Sequence, residues 1–141
     1  MKKISSLLVI FLLLSGAQAF AQDSCCSEDV ARMTKINNGQ EMVLFTGECF
    51  SLELQSLGSA GYSWQTGEID PAFLKVVSKQ TRPISDQKLV GAPEVTSWCF
   101  QALKEGWTEL KLDYYRPWEG AARATDHYIL RIMIIPALPP K

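Results

Sequence analysis

Arg116-Pro117-Trp118-Glu119 sets a guanidinium and an indole on either side of a proline, and these two side-chain types most often carry interface energy. The chemistry open to such a tetrapeptide is non-covalent: an aromatic face to bury and a cation to stack or pair. Pro117 fixes its own φ and biases Arg116 towards an extended backbone, so the direction of Trp118 is set before any partner arrives. Two placements fit these residues. One is an exposed binding loop; the other is a Trp folded back over the end of the domain with Arg116 paired to Glu119.

Residues for covalent chemistry are scarce. His127 is the single histidine, and between Asp126 and Tyr128 it reads as a solvated strand residue rather than a perturbed, partnered base. Gly58-Ser59-Ala60-Gly61 superficially looks like a serine nucleophile elbow, but Leu57 stands where the first glycine is required and no helical pattern follows. There is no His-Glu-x-x-His, no spacing singles out a pair of carboxylates, and no cofactor is called for. An enzyme is not expected.

The chain opens Met1-Lys2-Lys3, runs through the apolar Leu7 to Leu14 and reaches Ala17-Gln18-Ala19-Phe20-Ala21. That is the pattern of a secretory signal peptide over 1–21, cleaved after Ala21 or alternatively Ala19. Its apolar run is too short to span a bilayer, and no later segment approaches about 18 uninterrupted apolar residues, so a secreted or periplasmic protein without a membrane partner is expected. Cleavage removes Lys2 and Lys3, taking 14 basic residues to 12 against 15 acidic ones and the formal charge from −1 to −3. Nothing in that balance suggests a nucleic-acid face.

Cys25, Cys26, Cys49 and Cys99 all survive such cleavage into an oxidising compartment, where disulfides are the default. Alternation with Phe50, Leu52 and Leu54, and with Trp98 and Phe100, points the thiols of Cys49 and Cys99 away from the apolar face. These two could bridge each other, or the vicinal pair on the short arm at 22–35 could reach either one. A metal site is disfavoured, because vicinal cysteines lack ligand spacing.

The elements that must position the tetrapeptide are strands. Met42 to Phe45 and Phe50 to Leu54 flank the tight turn Thr46-Gly47-Glu48; Tyr62-Ser63-Trp64 starts a strand after a Gly-rich loop. Phe73 to Lys79, Val95 to Leu103, Trp107 to Tyr115 and Tyr128 to Ile134 complete the set, with a polar loop over 82–94. About seven short strands with no helical period predict an all-β, immunoglobulin-like antiparallel sandwich over 36–137, expected as a monomer. The loops at 56–61, 82–94 and 116–125 are alternate connections and so should gather at one end.

This pattern resembles the chagasin-like inhibitors of papain-type cysteine proteases, which are immunoglobulin-like sandwiches with three signature loops; the likeness runs from about Ile36 to Pro136. The family's first loop, Asn-Pro-Thr-Thr-Gly-Tyr or Phe followed after one residue by Trp, is matched by Leu57-Gly58-Ser59-Ala60-Gly61-Tyr62-Ser63-Trp64 at Gly61, Tyr62 and Trp64. Its second loop, Gly-x-Gly-Gly, corresponds to Gly91-Ala92-Pro93-Glu94, where only Gly91 is kept. Its third, Arg-Pro-Trp, is matched completely by Arg116-Pro117-Trp118.

The resemblance implies that loop 57–62 enters the cleft of a papain-type protease while loops 82–94 and 116–120 grip its walls. The protease-binding residues it implies are Leu57, Gly58, Ser59, Ala60, Gly61, Tyr62, Gly91, Ala92, Arg116, Pro117 and Trp118. Pro93 fixes φ and removes a donor, so the second loop cannot present its backbone as a glycine loop does. The alternative from a different class is an adhesion or carbohydrate-binding module that uses Trp118, Tyr62 and Trp107 as a stacking platform.

Overall fold

Period-2 alternation decides the architecture, because each strand turns one row of side chains inward. In the computed structural model, Ser27 and residues 29–84 and 91–139 are described. The expected signal peptide at 1–21, Cys25 and Cys26, and residues 85–90 of the 82–94 loop lie outside them.

Among the described residues eight strands form: β1 (Ala31–Thr34), β2 (Glu41–Phe45), β3 (Cys49–Ser56), β4 (Ser63–Thr66), β5 (Leu74–Pro83), β6 (Glu94–Ala102), β7 (Gly106–Tyr115) and β8 (Asp126–Ile135). They make two four-stranded sheets, ordered β1-β3-β6-β5 and β2-β8-β7-β4. This is the immunoglobulin arrangement of two facing sheets. Helical structure among the described residues is limited to three-residue 3₁₀ turns at Lys35–Asn37, Gly58–Ala60 and Ala121–Arg123.

The all-β immunoglobulin-like expectation holds, with two additions. Ala31–Thr34, read from sequence as the end of the arm, is an edge strand parallel to β3. Likewise β2 runs parallel to β8. Neither parallel pairing is visible as periodicity, since Ala31–Thr34 is too short and too polar to show an alternation.

The core is what the alternation places inside. Phe50, Leu52 and Leu54 of β3 face Trp98, Phe100 and Ala102 of β6 from within the same sheet, and Leu110, Leu112, Tyr128, Leu130, Ile132 and Ile134 close from the other. Phe50 lies directly opposite Phe100, their rings stacked at 5.1 Å. Each such fully buried side chain contributes on the order of 1.5–3 kcal/mol by removal from water. Two buried polar atoms lack partners among the described residues, Trp98 Nε1 and Tyr128 Oη.

Cys49 and Cys99 alternate with the inward rows of β3 and β6, and Cys99 is nonetheless buried, 2% exposed. They are two residues out of register, Cys49 opposite Gln101 and Cys99 opposite Ser51.

Candidate functional site

The Gly-rich segment after β3 is ordered. Residues Gly58–Ala60 form one 3₁₀ turn, closed by Ala60 N–H donating to Leu57 O (3.0 Å) and Gly61 N–H donating to Gly58 O (2.9 Å). Gly61 ends it at φ +80°, a left-handed conformation that a side chain would strain. The turn is tied to the sandwich at both ends. Leu57 N–H donates to Tyr114 Oη at 2.9 Å, and Trp64, buried, donates its indole N–H to Gln55 O at 2.9 Å.

The Arg-Pro-Trp loop is braced against this turn. Arg116 donates from Nε to Ala60 O (3.0 Å), lies over the Tyr62 ring at 4.6 Å and pairs with Glu119 through Nη1 at 3.5 Å. Tyr62 in turn stacks on Tyr114 at 5.4 Å. Trp118 lays its indole over the hydrogen face of Gly61, filling the space a Cβ there would need. Yet Trp118 is 71% exposed. Both sequence placements are therefore partly realised: the Arg116–Glu119 pair forms and the indole leans back, while its outer face stays in solvent.

The second loop meets the first from the other side. A Cβ at Gly91, which sits at φ +92°, would lie 3.6 Å from Ser59 Oγ, and Glu94 Oε2 would be 2.6 Å from a Cβ at Gly58. Gly58, Ser59, Ala60, Gly61 and Tyr62 are thus brought together with Gly91, Arg116 and Trp118, and Leu57 is exposed beside them. Ala92 and Pro117 lie in the same two loops.

Trp107 does not join them. It is the second residue of the ten-residue β7, whose far end Tyr115 leads into Arg116, and at about 3.3 Å per residue the eight steps from Trp107 to Tyr115 put it some 26 Å from the loops. A Trp118–Tyr62–Trp107 platform is therefore ruled out by strand direction. His127 lies outward on β8, its Nδ1 2.7 Å from Asp113 Oδ1. Beside it, burial pushes the Asp126 carboxyl up, but the Lys35 hydrogen bond and charge and the His127 N–H outweigh that and leave it below its ordinary range.

Two contributors were not picked out in the sequence. Tyr114, whose ring and hydroxyl both serve the first loop, read only as one residue of an alternating strand. The connection at 35–40 also reaches this end, and its sequence signal was the Thr34-x-x-Asn37 cap followed by Asn38-Gly39.

A small-residue turn braced by an Arg and a Trp at one end of an immunoglobulin sandwich offers no covalent chemistry and has the shape of a binding edge. The chain belongs to the chagasin family of peptidase inhibitors (family I42), whose model matches residues 44–132, well over half of it. Membership makes it an inhibitor rather than an enzyme, as the resemblance in its loops implied.

It is similar to chagasin of Trypanosoma cruzi, 26% identical over 101 residues that cover 69% of this chain and 91% of that protein. Among solved structures it resembles the cysteine protease inhibitor EhICP2 of Entamoeba histolytica, with a TM-score of 0.68, 20% identity and coverage of 75% and 96%. PbICP-C in complex with falcipain-2 aligns at a TM-score of 0.52, with 16% identity and coverage of 75% and 91%.

Proposed function

We propose that the chain inhibits papain-type cysteine proteases by occlusion: the Leu57–Tyr62 turn enters the active-site cleft while Arg116–Trp118 and the Gly91 loop hold its two walls. The observation that carries this reading is the bracing of the Gly58–Ala60 turn by Arg116 and Trp118. A wedge must be ordered before it binds, because ordering it on binding would cost affinity. Small residues at 58–60 let its backbone approach a narrow slot, and no covalent step is required.

Relatives support the target class. One neighbour is described as a cysteine protease inhibitor and another is seen in complex with falcipain-2. The test is competition: the mature protein should slow covalent labelling of papain's active-site cysteine in proportion to the fraction bound, and labelling at the uninhibited rate under saturating protein would refute occlusion.

The compartment and the cross-links belong to the same reading. The apolar start of the chain supports export to the periplasm or medium. Cys49 and Cys99 are diagonal in the ladder, a separation of about 7–8 Å that exceeds what a disulfide spans. Neither is a free thiol. We propose Cys25 and Cys26 as their partners, two bonds that would tie the arm to the outer face of β3 and β6. Non-reducing peptide mapping should recover 25–26 linked to both strands; a Cys49–Cys99 peptide would contradict it.

A further inference from the structure

Four connections meet at the binding end, not three. β1 is parallel to β3, with Thr34 level with Glu53, so the chain leaves β1 at the end where β3 delivers Leu57. It reverses there through the Lys35–Asn37 turn. We infer that this turn is a fourth contact element of the inhibitor, with Ile36 as its apolar anchor, and that the groove between Ile36 and Leu57 receives an apolar side chain from the rim of the protease cleft. The inference rests on the proposed use of this edge for inhibition.

Ile36 is 86% exposed, and single exposed apolar residues are ordinary on protein surfaces. What sets it apart is how firmly it is held. Thr34 N–H donates to Asn37 Oδ1 at 2.9 Å across the turn. Asn38 spans to β8, donating to His127 O (2.9 Å) and accepting from Ile129 N–H (2.8 Å), while Gly39 N–H donates to Ile129 O at 2.7 Å. Lys35 pairs with Asp126 at 2.6 Å and lies over the Trp64 ring at 4.8 Å. A side chain carried by so constrained a backbone loses little further freedom when a partner covers it, which is the property of an anchor.

The surroundings specify the partner's chemistry. A groove of about 530 Å³ runs from Ile36 to Leu57, walled by Pro93, Val95, Trp64 and Tyr114. Leu57 is 53% exposed and belongs both to this groove and to the wedge turn, so a protease seated on the wedge passes over the groove. The charges at its margin are already matched within the chain, Lys35 to Asp126 and Glu53 to Arg82. Among the described residues that line the groove every charge is thus paired, whereas an aliphatic or aromatic side chain from the partner would bury against Ile36, Leu57 and Val95.

The test uses the oxidised mature protein against papain. Ile36→Asp should raise the inhibition constant at least tenfold, chiefly through faster dissociation, with an unchanged melting temperature because the side chain is in solvent. Asn37→Ala, which keeps Ile36 but removes its cap, should cost several-fold. Should Ile36→Asp melt early, Ile36→Ser carries the same expectation. Wild-type inhibition with Ile36→Asp indistinguishable in constant and off-rate overturns the fourth contact alone. Absence of inhibition by the wild type instead removes the reading beneath it, and the inference with it.

Discussion

The indole of Trp118 lies on the bare face of Gly61, at the one position of the wedge turn where the backbone is left-handed. Glycine there serves two needs, since any Cβ would both strain φ and displace the indole. Gly61→Ala is expected to cost about 1–3 kcal/mol of stability and to weaken inhibition at least tenfold. Because displacing the indole is shared by the two changes, adding Gly61→Ala to Trp118→Ala should reduce inhibition by less than the product of the single effects. A double-mutant cycle on the inhibition constant measures this.

Arg116 makes three contacts from one planar group: the Ala60 carbonyl, the Tyr62 ring and Glu119. A lysine supplies a point charge and cannot hold all three. Arg116→Lys should therefore loosen the turn, seen as faster hydrogen exchange at the Ala60 and Gly61 amides, with inhibition weakened several-fold. Unchanged exchange at those amides would show that the turn orders itself without the guanidinium.

The sandwich was legible in the sequence because its inner rows alternate without interruption, as in Tyr128, Leu130, Ile132 and Ile134. The loop cluster followed from strand count alone, and Arg116-Pro117-Trp118 announced itself by composition. Three things were not legible. Ala31–Thr34 joins β3 by backbone pairing, which leaves no side-chain period. Tyr114 acts through a hydroxyl contact with Leu57, 57 residues away in sequence. Trp107, grouped by residue type with Trp118, was separated from it by the length of β7.

Glu94 stands where the family has glycine, and its carboxylate lies against Gly58 of the wedge. Other charges at this edge are paired within the chain, as in Lys35–Asp126 and Arg116–Glu119. Glu94 has no ion pair among the described residues, and a charge at an interface acts mainly on the association rate and its salt dependence. Glu94→Gln should change kon for papain by several-fold at low ionic strength and by little at 0.5 M salt, measured by stopped-flow. The same change at both salt concentrations would point to a steric rather than an electrostatic effect.

Tyr128 is wholly buried, its hydroxyl lacks a partner among the described residues, and burial pushes its pKa up to about 12. The folded state therefore keeps the proton after the unfolded chain has released it at about 10. Stability from this group is full below pH 10 and falls between pH 10 and 12, by about 2–3 kcal/mol at 1.36 kcal/mol per unit. Tyr128→Phe should abolish that alkaline loss and leave stability at pH 7 equal or raised by about 1 kcal/mol, since an unsatisfied hydroxyl is removed. Denaturant midpoints at pH 7 and pH 11 decide it.

The most direct test of the wedge is titration of active papain with the oxidised mature protein beside its Trp118→Ala form. Tight, reversible inhibition by the first is expected, weakened by about 2 kcal/mol or more in the second with the melting temperature unchanged. Equal potency of the two forms, or failure of the wild type to inhibit papain or other proteases of its class, would contradict it.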